Sequence, residues 1–179
     1  SADHQPQDFV GRAVDISGGV AIVGADGDDD IAEDAGAAFI FQREAPGSWF
    51  QRAALLPSQA GPKDAAGWSV AIDGQVAVVG APGRATHATS GGAATIFVEQ
   101  AGEWIEALDV EPPSAVAFNF FGESVACAAG PGGVAEGALV AVGAWGDGPL
   151  GGLNQSVSIY RLEDGAWDLD DRFTGDDTD

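Results

Sequence analysis

The chain has 179 residues, 45% of them apolar, with 28 acidic residues against 7 basic ones and a formal charge of -21. That apolar share can build a core and excludes a chain held disordered by its own charge, while the acidity excludes nucleic acid and anionic membrane surfaces as partners. No stretch reaches the length of a membrane-spanning helix or reads as a signal peptide, and the absence of methionine marks a mature product or a processed or recombinant piece.

Residues 1–7 are polar and are expected to form a flexible tail, as are 174–179. From Val10 the chain reads "VGRAVDISGGVAIVGADG", two short apolar runs about a Gly18-Gly19 pair, the chemistry of a two-residue hairpin turn. An acidic loop follows, and then "AAFIFQ", a third run. A fourth begins near Trp49.

The same order returns twice, as "AGWSVAIDGQVAVVGAPG" from Ala66 and "FGESVACAAGPGGVAEGALVAVGAWG" from Phe121. Gly11, Gly67 and Gly122 are spaced by 56 and 55 residues, and the third copy carries eight extra residues at its first turn. Gly24, Gly80 and Gly143 each stand twelve residues before Gly36, Gly92 and Gln155, and Trp49, Trp104 and Trp167 recur in step. A period of several tens of residues is the mark of a repeat architecture.

Each copy predicts four strands. The second and third are near-continuous apolar runs, expected of strands covered on both faces, whereas the fourth alternates, as in "WIEALDV", and has one wet face. The expected fold is therefore all-β: β-propeller blades, three four-stranded antiparallel repeats, at about residues 9–57, 65–113 and 120–173, in one repeat domain.

"FGESVA" with "VAVGAW", and "GWSVAI" with "VAVVGAP", resemble the FG-GAP repeat of integrin α-subunit β-propellers, and more closely its bacterial tight-turn variants. Phe121-Gly122 keeps the literal FG and Gly80-Ala81-Pro82 the literal GAP, and the resemblance covers about residues 9–173. It implies a non-enzymatic propeller for ligand binding, cell adhesion or protein interaction, commonly extracellular and often holding calcium between strands one and two. Here that connection is only a turn, or a glycine-rich loop in the third copy, so the family's calcium site does not carry over.

Candidate sites lie in the loops between strands two and three, which all leave one face of a propeller. In the first, Asp26, Asp28, Asp30 and Asp34 have a spacing suited to calcium, although Ile31 takes the place of the usual turn glycine. The second carries Arg84 and His87, and the third Trp145 and Asp147, as candidate ligand-binding residues. Trp145 aligns with Asp26 and Pro82, so the scaffold asks for no aromatic there; stacking on a sugar or anchoring a protein partner is one reading, and local packing is the other.

Trp49, Trp104 and Trp167 read as blade-packing residues, Trp68 as buried between blades, and Cys127 as a small core hydrophobe. His4 and His87 have no second base or nucleophile near them in sequence, and no catalytic residue is assigned. The leading expectation is an integrin-like binding module for a protein or other extracellular ligand. A lectin-like carbohydrate binder remains open, as does an enzyme completed between subunits or by missing blades.

Three blades leave two apolar faces bare, while propellers close with four to eight. Either the chain is part of a longer propeller or a homodimer forms a six-bladed ring, the assembly favoured here, helped by salt against its charge. An extracellular, cell-surface or periplasmic setting, possibly saline, is expected.

Overall fold

The computed structural model describes residues 7–85, 90–112, 118–146 and 155–175. The first sheet contains β1 (Val14–Ser17), β2 (Val20–Ala25), β3 (Ala37–Ala45) and β4 (Ser48–Leu55). The second contains β5 (Ser69–Asp73), β6 (Val76–Ala81), β7 (Ala93–Gln100) and β8 (Glu103–Val110). The third contains β9 (Ser124–Ala128), β10 (Leu139–Ala144), β11 (Ser156–Glu163) and β12 (Ala166–Thr174). Every sheet is an antiparallel meander in chain order, and none closes on itself. These are partial-propeller blades, as the repeats predict.

Local chemistry explains the regularity. β1 joins β2, and β5 joins β6, through two residues, with Gly18 at φ 57° and Gly74 at φ 52°, where a side chain would be strained. The register between the third and fourth strands shifts at Ile40/Phe41, Ile96/Phe97 and Ile159/Tyr160, the same place in each repeat. A bulge there bends the outer strand away from the stack. The eight additional residues of the third repeat form a loop with a short 3-10 turn at Pro131–Gly133. Its Gly133 carbonyl accepts the Gln75 amide at 3.0 Å, tying the loop to the second blade.

The blades stack in chain order, with two apolar layers between them. Ile22, Ile40, Leu55, Ile72, Val79 and Phe97 fill the layer between blades one and two. Val76, Val78, Ile96, Phe121, Val140 and Val142 fill the layer between blades two and three. Burial consequently differs among strands of similar sequence. All six residues of β6 are buried, but β10, "LVAVGA", alternates between buried and exposed or half-buried positions. The expectation of second strands covered on both faces is met only in the middle blade, because each end blade has one bare face.

The repeated glycines mark where neighbouring blades meet backbone to backbone. A Cβ on Gly24 would lie 2.0 Å from the Gly67 carbonyl oxygen, and one on Gly80 would lie 2.0 Å from that of Gly122. The chain then clasps the preceding blade: the Lys63, Ala65 and Ala66 amides donate to the Glu33, Asp34 and Ala35 carbonyls at 2.8, 3.1 and 2.9 Å. Phe120 and Phe121 repeat the clasp on Ser90 and Gly91 at 3.1 and 3.2 Å. The hairpin thus recurs because each copy is built to seat the next one.

Candidate functional site: an aromatic cleft on the loop face

The segments leading into β5 and β9, and the loops leaving β6 and β10, emerge on one face of the stack. Ala65 and Phe120, at equivalent positions, both take positive φ, 55° and 53°. That left-handed turn swings the chain from the outer strand of one blade to the inner strand of the next. It also lifts the following side chains, Trp68 and Glu123, onto the loop face.

Between them lies a cavity of about 250 Å³, lined by Ala65, Trp68, Pro82, Gly83, Phe120, Glu123 and Trp145. Trp145 is 59% exposed, and its ring centroid is 6.1 Å from that of Phe120 at an interplanar angle of 52°. Phe118 extends the cluster, 6.1 Å from Phe120 and exposed to solvent. A second, more open cleft of about 450 Å³ shares Trp68, Glu123 and Trp145 and runs onto Ser124, Gly143 and Val157, on the bare side of the third blade.

Trp68 was expected between blades, but it is half-buried on this face, with the Arg12 guanidinium 3.5 Å above its ring. The reason is its place directly after Gly67, in the turn before β5 begins, where side chains leave the sheet. Arg12 also stands 3.7 Å from Asp26, which is buried. Cation, indole and carboxylate form a short row at the rim, the cation held by the ring face and by charge.

The other candidate residues have different places. Arg84 is 8% exposed and donates two hydrogen bonds to Asp109, at 2.8 and 2.7 Å, with Glu111 at 3.6 Å. The Thr95 hydroxyl adds a bond to Asp109 at 2.9 Å. Arg84, expected as a ligand-binding residue, is buried in this ion pair, which pins the loop after β6 to β8. His87 and Asp147 lie outside the described residues, as does His4.

In the acidic loop, Asp28 is buried and accepts the Asp30 amide at 3.0 Å, while the Asp34 amide donates to Asp29 at 2.7 Å. Asp34 takes φ 52°, and its carbonyl belongs to the clasp on the second blade. Among the described residues no three carboxylate, imidazole or thiol groups stand together as a metal-holding set. The arrangement of Asp26, Asp28, Asp30 and Asp34 thus lends no support to the calcium site suggested by their spacing. Of the four, Asp34 serves blade packing, through its carbonyl.

Cys127 is half-buried beside the second layer, its thiol pushed up to about 12 by burial and by the nearby Asp15 and Asp73 carboxylates. A thiol held protonated is a poor nucleophile. Burial likewise raises the Asp64 carboxyl above the ordinary aspartate value, against the bond from the Gly61 amide and the pull of Arg84. The cleft itself offers aromatic faces, an apolar floor and one exposed carboxylate, Glu123. Those are the means of recognition.

Trp145 was legible as an aromatic outside the repeat pattern. Phe118, Phe120 and Glu123 were missed, since nothing in the spacing says that two successive lead-in segments line one cleft. Among the described residues no helix is long and apolar enough to cross a membrane. No curated protein matches the chain. The FG-GAP repeat matches residues 1–41 and 49–97, from the first blade into the third strand of the second, and the third copy folds into the same four-stranded sheet. Two matched repeats and three like blades place this chain in the FG-GAP repeat family.

Proposed function

We propose that the chain is a non-enzymatic, extracellular interaction module that binds its ligand in the aromatic cleft on the loop face. FG-GAP repeats are propeller-type interaction modules, typically non-enzymatic and usually extracellular. The observation that carries the reading is the exposed Trp145 ring, tilted against Phe120 over an apolar cavity of about 250 Å³. Exposed aromatics grouped around a pocket are the usual anchors of protein recognition. The preferred ligand is a protein segment presenting an apolar side chain to the pocket and a basic group to Glu123.

A carbohydrate is the second reading, favoured by an indole face beside a carboxylate, which suits a sugar ring and its hydroxyls. A displayed peptide library and a glycan array, each probed at high salt with the wild type and with Trp145→Ala, test both. Peptide hits lost in the variant support the protein reading, and glycan hits lost in the variant support the second. Hits that survive both Trp145→Ala and Trp68→Ala would sink the cleft as the site.

A further inference from the structure

We propose that the open cleft on the third blade is a half-site, completed by the first blade of a second copy of this chain in a two-fold ring. The first argument is positional. Val70 and Ile72 are 8% and 3% exposed because they face the preceding blade, yet Val14 and Ile16, their counterparts one repeat earlier, are 67% and 61% exposed. Trp104 and Trp167 pack against the layers that separate their blades from the preceding ones, while the matching Trp49 is 41% exposed. The first blade thus carries the apolar residues by which the later blades pack backwards, and among the described residues none covers them.

The opposite end carries the receptor. In the second blade the Ser69 hydroxyl donates to the Gly122 carbonyl at 2.7 Å, directly over Gly80. The third blade repeats this serine and glycine as Ser124 and Gly143, and Ser124 is exposed. No backbone of the described residues stands over Gly143: a Cβ there would meet only the Ser124 side chain, at 2.4 Å, and the Ser124 backbone at ordinary contact distance. The counterpart of Gly122 in a first blade is Gly11, so the site fits the Gly11 carbonyl of another copy.

Charge selects that occupant. Along the stack, the position after the lead-in glycine holds Arg12, Trp68 and Glu123 in turn, and Arg12 already lies over Trp68. One further step of the same stack sets the second copy's Arg12 beside Glu123, at the rim of the open cleft. It also sets that copy's Phe9, 60% exposed and in the left-handed turn shared by Ala65 and Phe120, against Trp145. The ring so formed has two equivalent, closed clefts, each lined by both chains, and its two-fold symmetry makes the contact self-limiting.

This inference rests on the stacking geometry and not on the ligand reading, so the two can fail separately. The test is the mass in solution by light scattering, at moderate salt, which eases repulsion between two acidic copies without erasing a charge pair in contact. The wild type is expected at twice 18.0 kDa. Arg12→Glu and Glu123→Arg are each expected at the single-chain mass, and their equimolar mixture is expected back at twice that mass, since both junctions then pair opposite charges.

Gly143→Ala provides a second variant, expected to keep the wild-type circular dichroism and to lose the dimer. Ligand binding read on the same Gly143→Ala protein separates a lost ring from a lost cleft, because Gly143 does not line the cavity of about 250 Å³ beside Trp145. A wild type that stays at 18.0 kDa at the highest soluble concentration, or assemblies larger than two chains, overturns the proposal. So does dimerisation undisturbed by either charge reversal or by Gly143→Ala.

Discussion

Gly80→Ala and Gly143→Ala are the same substitution at the same repeat position, and the structure gives them opposite outcomes. At Gly80 the new methyl would sit 2.0 Å from the Gly122 carbonyl oxygen, against about 3.3 Å for an ordinary carbon–oxygen contact. The backbones of the second and third blades must therefore part by about 1.3 Å. Overpacking of this kind costs about 1–3 kcal/mol. Moving the third blade also stretches the Ser69 bond to Gly122 and the clasps of Phe120 and Phe121, each worth about 1 kcal/mol.

A loss of roughly 4–6 kcal/mol follows, and in a domain of this length it lowers Tm by roughly 8–24 °C. Gly143 has no neighbouring backbone to displace; its new methyl would meet the Ser124 hydroxyl, which can rotate away. Its φ is not positive, so alanine fits, and the lower entropy of the unfolded chain offsets part of the crowding, leaving a change within about 1 kcal/mol. Thermal melts of both variants, followed by circular dichroism on dilute single chains, make the comparison. Equal Tm losses would refute the claim that the repeated glycines are blade-to-blade contacts.

Further outcomes follow from the same geometry. Arg84→Ala leaves half-buried Asp109 and buried Asp64 without their cation and should cost about 3–5 kcal/mol in urea unfolding, with no selective loss of ligand. Because burial raises the Asp64 pKa, the folded state binds its proton more tightly than the unfolded chain does. That contribution is full below the unfolded value of about 3.9 and is lost as pH rises through the folded value. Asp64→Asn should therefore gain stability relative to wild type towards neutral pH and show no such gain in acid; a difference flat with pH contradicts this. Cys127, held protonated up to about 12, should resist alkylation in the native state at neutral pH and react on unfolding.

The sequence reached the fold because its signals are local: Gly18-Gly19 sets a hairpin, "VAVVGA" sets a covered strand, and the period repeats both. Where it fell short, the determining contact is between distant segments. Nothing near Arg84 announces that both carboxylate oxygens of Asp109, 25 residues on, accept from its Nη1. Trp68 looks like a strand residue until Gly67 turns it outward onto Arg12. The acidic loop carries a calcium-like spacing, but the carbonyls of Glu33, Asp34 and Ala35 do its work, and backbone groups leave no trace in composition. The cleft joins parts of two repeats, so Trp145 could be singled out while Phe120 and Glu123 could not.

The central claim is that the aromatic cleft, and not the outer strands, is where this module meets its ligand. Fluorine NMR of protein carrying 5-fluorotryptophan, titrated with the strongest binder from the peptide and glycan panels, tests it most directly. The five tryptophans give separate probes: Trp68 and Trp145 in the cleft, and Trp49, Trp104 and Trp167 on the outer strands. The account predicts that the Trp68 and Trp145 resonances shift with saturation while the outer three hold still. Shifts confined to Trp49, Trp104 or Trp167 would contradict it.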